Sequence, residues 1–307
     1  MKEQRWALAL VWIVPALWSS NYVIARLAGG VISPHLLAFG RWGVALALML
    51  PFVGGALWRD RAALRGEWRQ LLVLGACGMW ICGAIVYLGG QTTTATNIAL
   101  IYAATPVAIA VLGVKLLHER MTGAQQLAVA CALLGVLVVI ARGDLRVLVE
   151  VRFTAGDGWI VLAATSWTVY SVLLKRWPSA LAPGPRLAAI AAGGLLVLLP
   201  FTLAEWVWTE IPPLGWKAAG LVLAAAVLPG VLSYGAYSYM QRAIGAARTA
   251  LIMYLAPVYA AVIGWVLLGE VPGWHHALGA ALILPSIWLA TRPAPPPVRQ
   301  PTDPGSR

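Results

Sequence analysis

The sequence contains ten apolar runs, each long enough to cross a lipid bilayer as a helix. A transmembrane helix needs about 20 mainly apolar residues, and backbone exposed to lipid must be helical or belong to a closed barrel. Because 61% of the residues are hydrophobic and only 11% are charged, the expected solvent is a bilayer. The runs are long and do not alternate with polar residues, so helices are favoured over strands. The ten predicted helices cover approximately residues 6–28, 34–57, 69–90, 96–117, 124–141, 156–176, 185–207, 216–240, 247–268 and 274–291.

One apolar segment occurs twice. Residues 96–119 read "TNIALIYAATPVAIAVLGVKLLHE" and residues 247–270 read "ARTALIMYLAPVYAAVIGWVLLGE", with eleven of 24 positions identical, Pro106 and Pro257 among them. Each half therefore carries five predicted helices. Since five is odd, the second half enters the membrane from the opposite side. The predicted fold class is an all-α integral membrane protein with ten transmembrane helices in two inverted five-helix repeats, a build typical of secondary transporters.

The same alignment, extended to weaker matches, pairs Trp18 with Trp167 and divides the chain into four parts. The tail is rich in proline and poor in apolar residues, so it is expected to be disordered. The predicted parts are a first repeat at 1–141 (helices 1–5), a connecting loop at 142–155, a second repeat at 156–292 (helices 6–10) and a disordered cytoplasmic tail at 293–307.

The placement of lysine and arginine predicts the orientation. If the N-terminus is inside, 16 of the 22 basic residues lie in cytoplasmic segments and four lie in outside segments. Short cytoplasmic loops carry an excess of basic residues, so both termini are predicted to be cytoplasmic in a multi-pass protein of the inner (plasma) membrane. The net charge of +11 then reflects topology, and no nucleic-acid partner is expected.

Both halves also share a motif. It runs from small polar residues through "TPV" or "APV", a glycine and "LL-x-E" to a further apolar helix, within about 12–141 and 159–290. This pattern resembles the EamA-type domain of the drug/metabolite transporter superfamily. The resemblance implies ten helices, an inner-membrane location and export of amino acids, metabolites or drugs. The tryptophan- and tyrosine-rich spans are most similar to the aromatic amino-acid exporters of that superfamily.

Polar and aromatic side chains inside the spans mark the expected transport path, because such groups are costly in a bilayer unless they have a role. Arg41 is the one charge set well inside a span, where it would pair with a substrate carboxylate or donate to backbone carbonyls and snorkel outward. Other members would instead anchor at the interfaces or join helices. The predicted substrate-binding residues are Trp18, Asn21, Tyr22, Arg41, Trp80, Tyr87, Asn97, Tyr102, Trp167, Tyr170, Tyr234, Tyr237, Ser238 and Tyr254.

Pro106 and Pro257 occupy matched positions in the two halves. A proline removes one helical hydrogen bond and bends the helix, and matched interruptions point to the site of an inverted-repeat transporter. We predict that both act as hinges or cavity walls. The alternative is an inherited kink that only helps packing.

The acidic residues are predicted at helix ends, in loops and in the tail, with none in the interior of a span. Proton-coupled transporters commonly relay protons through buried carboxylates or histidines, so a facilitator or exchanger is favoured. The sequence predicts no cofactor and no metal site, and it lacks a nucleotide-binding GxxxxGK[ST] motif.

The predicted function is export of small amphipathic metabolites, neutral or aromatic amino acids in particular, by alternating access around an aromatic-lined cavity. Alternatives are a multidrug or other metabolite carrier and, in another class, an integral-membrane enzyme. Expected partners are the substrate and the lipid bilayer, with the chain a monomer or homodimer.

Overall fold

The described residues form ten helical rods. A computed structural model describes residues 2–90, 92–144, 146–150, 152–209, 214–268 and 271–291, and every regular element among them is a helix. The rods are α1 (Lys2–Ala28), α2 (Pro34–Arg59), α3 (Arg61–Gly75, Ala76–Ile85 and Val86–Gly90), α4 (Ala95–Ala103 and Thr105–Leu117), α5 (Gly123–Ala141), α6 (Ala155–Arg176), α7 (Pro183–Trp208), α8 (Trp216–Ala225, Ala226–Leu232 and Ser233–Ile244), α9 (Ala246–Ala250, Leu251–Leu255 and Ala256–Leu268) and α10 (Trp274–Thr291). A single turn, Arg146–Val149, lies between α5 and α6.

Nine of these rods are long and apolar enough to cross a membrane, counted over the described residues. The tenth, α10, has 18 residues and begins next to His275 and His276, which lower its mean hydropathy. Large apolar side chains cover the outside of the bundle, including Phe52 at 87% exposure and Leu127 at 64%. Such a surface is suited to lipid contact and not to water. The predicted membrane fold is confirmed, while the predicted tail at 293–307 lies outside the described residues.

The helix contacts repeat under exchange of the two halves. Each helix from α1 to α5 has a counterpart five positions later, and the pairs α2–α7, α4–α9 and α5–α10 are in contact. The contact of α1 with α8 is matched by that of α6 with α3, and the contact of α4 with α6 by that of α9 with α1. This pattern is that of a pseudo-twofold axis, as inverted repeats require. We call the end at which α1 begins the basic end and the other the opposite end.

Glycines bring the backbones of α5 and α10 into contact. A Cβ atom on Gly135 would lie 2.9 Å from the carbonyl oxygen of Gly279, and a Cβ on Gly279 would lie 2.9 Å from that of Gly135. Small residues permit such close approach between membrane helices. The two last helices of the repeats therefore pack against each other within one chain.

Two pairs of counterpart helices are interrupted at matched places. A π-helical segment, Ala76–Ile85, lies within α3 and another, Ala226–Leu232, lies within α8. The sequence analysis did not predict either segment. α4 breaks at Ala104 before Pro106, while α9 passes through a 3₁₀ segment, Leu251–Leu255, before Pro257. Breaks of this kind release backbone carbonyls and are frequent at functional sites.

α3 begins at Arg61, eight residues before its predicted start near residue 69. Its first turns carry Arg61, Arg65, Glu67 and Arg69, which are polar and give no apolar run. A helix can continue beyond the hydrocarbon region, because its backbone hydrogen bonds do not depend on apolar side chains. Hydropathy therefore predicts only the apolar part of α3 and misses the polar turns at its start, at the basic end.

Candidate functional site

Six aromatic side chains from four helices pack together at the centre of the bundle. This aromatic cluster consists of Trp18 on α1, Trp42 on α2, Trp167 and Tyr170 on α6, and Tyr234 and Tyr237 on α8. Five of the six are fully or almost fully buried, and Trp18 is partly buried. Edge-to-face and offset stacking are the favoured arrangements of aromatic pairs. The rings thus contact one another, whereas the sequence analysis predicted that such rings line a cavity.

The counterpart tryptophans meet in this cluster. The ring centroids of Trp18 and Trp167 lie 5.4 Å apart with the planes at 84°. Since the two residues are related by the repeat, the pseudo-twofold axis passes close to their contact. The Nε1–H of Trp167 also donates to the sulfur of Met253 at 3.2 Å. This places α1, α6 and α9 around one point.

Arg41 lies at the edge of the aromatic cluster and is 6% exposed. Its Nη2 donates to the carbonyl oxygen of Pro229 at 2.7 Å, and its guanidinium carbon lies 5.0 Å from the ring centroid of Trp42 and 5.8 Å from that of Tyr234. Pro229 belongs to the π-helical segment of α8, so Arg41 satisfies one of the carbonyls there. The Nε–H of Arg41 is buried without a hydrogen-bond partner in the described part of the chain.

Two further polar groups of the cluster are buried and unpaired. The Nε1–H of Trp42 and the hydroxyl of Tyr170 have no hydrogen-bond partner among the described residues. A buried donor without a partner costs about 1–3 kcal/mol. The unpaired donor of Trp42, next to Arg41, therefore marks a place where a polar ligand would gain free energy by binding.

Two tyrosine hydroxyls of α8 form hydrogen bonds, one with a backbone carbonyl of α3 and one with a side chain of α6. Tyr234 donates to the carbonyl oxygen of Gly78 at 2.9 Å, within the π-helical segment of α3. The hydroxyl of Tyr237 lies 3.0 Å from that of Ser171. Both π-helical segments thus have a carbonyl bonded by a side chain of another helix.

The remaining predicted residues are spread along the bundle. The hydroxyl of Tyr87 donates to Asn21 at 3.1 Å, so these two predicted residues do meet. Trp80 instead stacks on Phe201, with ring centroids 4.0 Å apart. Tyr102 is half-buried on the first part of α4.

Tyr254 bonds where α4 breaks. It donates to the carbonyl oxygen of Ala103 at 3.0 Å, just before the proline at position 106. The hydroxyl therefore joins the two counterpart helices at one interruption. Ser238 lines a separate cavity near the basic end, and the side chain of Tyr22, also a predicted site residue, lies outside the described residues.

Asn97 belongs to a network at the opposite end and not to the aromatic cluster. Its Nδ2 donates to Asp157 at 2.9 Å, and Asp157 also accepts from the hydroxyl of Thr93 and from the backbone N–H of Thr154 at 2.6 Å. Asp157 is 3% exposed. The start of α4 is thereby held against the start of α6.

Glu205 closes a second junction at the opposite end. Its carboxylate accepts from the backbone N–H groups of His35 at 3.0 Å and Leu36 at 3.1 Å, and it contacts Nδ1 of His35 at 3.1 Å. An anion at a helix N-terminus is favoured by the free N–H groups and the helix dipole. Asp157 and Glu205 do lie in the first and last turns of their helices, as predicted, but Asp157 is buried, Glu205 is half-buried and both are hydrogen-bonded.

The basic end has the matching arrangement. Glu119 accepts from the backbone N–H groups of Ala246 at 2.7 Å and Ala247 at 2.8 Å, at the start of α9. Glu67 accepts from Ser179 and from the backbone N–H of Ala180 at 2.8 Å, before α7 begins. Each end therefore uses carboxylates to bind the start of a helix from the other half or its preceding loop.

Comparison with known proteins decides the family. The model of the EamA-like transporter family matches residues 5–141 and 154–292. The chain belongs to the EamA-like transporter family. The two matched segments are the two copies of one domain, so the repeat in this EamA-like protein is a duplication of the family unit.

Several curated proteins are similar to this EamA-like chain over most of its length. An uncharacterized transporter of Bacillus subtilis (YyaM) is 28% identical over 89% of each chain. A probable terminal-alkyne amino-acid exporter of Streptantibioticus cattleyicolor is 28% identical over 100% of this chain and 99% of its own. An S-adenosylmethionine/S-adenosylhomocysteine transporter of Chlamydia trachomatis is 23% identical over 89% and 86%.

One solved crystal structure shares the fold. It superposes with a TM-score of 0.74 over 93% of this chain and 97% of its own, at 19% identity. At that identity the likeness concerns the fold alone. Together with the family match, it makes this chain a multi-pass membrane transporter of the EamA-like family.

Proposed function

We propose that this transporter exports small amphipathic metabolites, neutral and aromatic amino acids in particular, by alternating access around the aromatic cluster. The basic end faces the cytoplasm in this proposal, and both termini lie there, in the inner membrane. The arginine and lysine bias supports that orientation. The 28%-identical relative named as an amino-acid exporter supports the substrate class.

The observation that carries the proposal is a pair of unpaired buried N–H donors next to aromatic rings. The Nε–H of Arg41 and the Nε1–H of Trp42 lack partners in the described structure. A carboxylate placed between them would accept from both and gain charge-assisted hydrogen bonds. The rings of Tyr234 and Trp167 offer faces for an apolar or aromatic side chain.

The substrate has to displace ring contacts to enter. The aromatic cluster is packed in this conformation, so binding requires rotation of at least one ring and separation of the helices at one end. Aromatic side chains that stack on each other can stack equally on an aromatic substrate. Substrates without a ring should therefore be transported less well.

Uptake and efflux in proteoliposomes test the proposal. Labelled tryptophan, phenylalanine and threonine are loaded, and efflux is followed with and without a pH gradient. We expect efflux of tryptophan and phenylalanine without a gradient. The change Arg41→Met should lower the rate by about 100-fold or more, because a bound carboxylate would lose its cation, while Arg41→Lys should retain part of it.

Folding controls make this test decisive. The Arg41→Met protein has to show the yield, monodispersity and melting temperature of the wild type. Wild-type protein that moves none of the three amino acids would refute the substrate class. Equal efflux by wild type and a well-folded Arg41→Met protein would refute the assigned role of Arg41.

A second substrate class is an adenosyl metabolite. The Chlamydia trachomatis relative is named as an S-adenosylmethionine/S-adenosylhomocysteine transporter, and an adenine ring would stack in the same cluster. Both compounds also carry an amino-acid carboxylate. Competition of unlabelled S-adenosylmethionine against labelled tryptophan separates the two classes, since inhibition is expected only if this site accepts the adenosyl group.

A further inference from the structure

A cavity of about 330 Å³ opens at the basic end, between α6, α7 and α8. This volume is at the lower end of the range for small-molecule sites, about 300–1,000 Å³. We call it the vestibule. Its lining residues include Lys175, Trp177, Arg186, Ser238, Gln241 and Arg242.

The vestibule adjoins the aromatic cluster. Nε2 of Gln241, which lines the vestibule, donates to the carbonyl oxygen of Ser171 at 3.2 Å. The hydroxyl of Ser171 lies 3.0 Å from that of Tyr237, a member of the cluster. One helical turn of α8 therefore separates the vestibule from the proposed site, and a ligand in the vestibule is next to the path inward.

The vestibule has a positive lining. Three cations line it, namely Lys175, Arg186 and Arg242, and the lining contains no aspartate or glutamate. The neighbouring Glu67 uses its carboxylate on Ser179 and the backbone of Ala180. Charges of one sign in a cleft with low-dielectric walls focus the potential inside it.

Two of the cations are held in place by neutral groups. Nζ of Lys175 donates to the carbonyl oxygen of Gln241 at 2.9 Å. Arg186 donates through Nη1 to Leu174 at 3.1 Å and through Nη2 to Trp177 at 2.7 Å, both to carbonyl oxygens. These bonds fix the side chains without neutralising their charge. Within the described residues neither cation has a carboxylate oxygen within 4.0 Å.

Arg186 also keeps a free donor. Its Nε–H is buried and has no hydrogen-bond partner among the described residues. A buried guanidinium N–H is strongly stabilised by an anionic oxygen acceptor. Leu187 and Ile190 give the same cavity an apolar wall, so the vestibule combines anion recognition with space for an apolar group.

We propose that the vestibule is a first binding site for an anionic oxygen group, the carboxylate of the substrate, ahead of the aromatic cluster. The inference rests on the proposed function for the identity of the substrate. Arg186 and Lys175 bind the carboxylate and Trp177 contacts the apolar part. An anionic lipid headgroup has the same chemistry at its phosphate, so the test separates the two sources.

A cysteine at position 238 reports the charge of the vestibule independently of transport. Ser238→Cys is introduced into the full chain after Cys77, Cys82 and Cys131 are replaced by alanine. The thiol is then modified with sulfonatoethyl or trimethylammonioethyl methanethiosulfonate. We expect faster reaction with the anionic reagent, relative to a free thiol in solution.

Two matched variants assign this preference to the vestibule. Lys175→Gln should lower the anionic-to-cationic rate ratio by about threefold or more, since each reagent feels one charge fewer at short range. Arg176→Gln is the control, because Arg176 is exposed and donates to Leu116 at the far side of α6. An equal change in both variants, or none in Lys175→Gln, would overturn the positive vestibule.

Ligand protection identifies the anion. The modification of Ser238→Cys is repeated in nanodiscs of phosphatidylcholine alone, with tryptophan or with tryptophanamide. Protection by tryptophan and not by the amide supports the carboxylate site. Protection that requires phosphatidylglycerol in the disc, with no effect of tryptophan, assigns the vestibule to lipid headgroups and overturns the proposal.

The two proposals fail in different ways. If Arg41→Met abolishes tryptophan efflux but tryptophan never protects position 238, the transport function stands and the vestibule site is wrong. If wild-type protein moves no amino acid and tryptophan still protects position 238 in a Lys175-dependent manner, the first binding site stands and the transported substrate is wrong.

Discussion

The two ends of the bundle are built from the same repeat but are closed to different degrees. At the opposite end, the buried Asp157 and the half-buried Glu205 are bonded to the starts of α4 and α2. At the basic end, Glu119 holds the start of α9, yet the vestibule opens beside it. Under the proposed alternating access, this difference corresponds to the state that is open toward the basic end.

The same kind of hydrogen bond holds helices together at both ends of the bundle. At each end a carboxylate accepts from two consecutive backbone N–H groups at the first turn of a helix, Glu205 toward α2 and Glu119 toward α9. Such bonds are charge-assisted and localised. Under the proposed alternating access, these bonds would break at one end and form at the other when the closed end is exchanged.

Locking the opposite end has the largest expected effect. A protein with His35→Cys and Glu205→Cys, in a background without other cysteines, is linked by a short bis-methanethiosulfonate. We expect efflux to fall to background and to recover on reduction, because the opposite end has to open once per cycle. The single-cysteine proteins treated in the same way are the controls. Full transport by demonstrably linked protein would contradict alternating access.

Weakening the carboxylate bonds at one end at a time should open that end and not the other. Glu205→Gln loses the charge-assisted bonds to α2 and should lengthen the distance between spin labels at Gly29 and Val207. Glu119→Gln should lengthen the distance between labels at Arg120 and Arg242. Each bond contributes about 1.5–3 kcal/mol, enough to change the populations about tenfold or more.

Pulsed electron–electron resonance measures both distances in the wild type and in each variant. Each substitution is the control for the other, because both replace a carboxylate by an amide at a helix start. A common shift of both distances in the same direction would contradict the independent closures. Unchanged distances in both variants would show that apolar packing alone decides the state.

Removing single hydroxyls has the smallest expected effect. Tyr234→Phe leaves the carbonyl oxygen of Gly78 in the π-helical segment with only the weak thiol donor of Cys82 at 3.5 Å. Tyr254→Phe removes the side-chain donor to the carbonyl oxygen of Ala103, before the break in α4. We expect each change to lower the free energy of unfolding by about 1 kcal/mol. Thermal melting in detergent tests this, with Tyr170→Phe as the control, because the buried hydroxyl of Tyr170 has no hydrogen-bond partner among the described residues. A loss of several kcal/mol would mean that the hydroxyls hold the helix interruptions together.

Most of the fold follows from the sequence because membrane helices are set by local composition. The ten apolar runs, the duplication and the pairing of Trp18 with Trp167 are all visible along the chain, and the two tryptophans are in contact. Matched interruptions at Pro106 and Pro257 were also predicted, and both helices are irregular just before them. Their role as hinges stays a prediction.

The site was harder to predict because its contacts join residues far apart in the chain. The sequence analysis did not predict Trp42, although it follows Arg41 directly. In an apolar run, the neighbouring residues do not show whether an aromatic side chain faces the lipid or the centre of the bundle. The bond of Glu205 to His35 spans 170 positions. Nothing near Glu205 in the sequence shows that its carboxylate accepts hydrogen bonds from the start of α2. The π-helical segments also leave only weak signals, such as Gly78 and Pro229 within apolar runs.

The unequal lengths of the helices have a consequence for the surrounding lipid. The interrupted helices α3 and α8 run over 30 and 29 residues, while α5 has 19 and α10 has 18. At about 1.5 Å per residue, the short pair matches the thickness of a hydrocarbon layer and the long pair exceeds it by about 15 Å. Part of that excess is the polar start of α3, which continues beyond the hydrocarbon region, and tilt takes up part of the rest. We therefore expect acyl-chain length to change the tilt of the two helices that carry the π-helical segments, and through them the rate of transport.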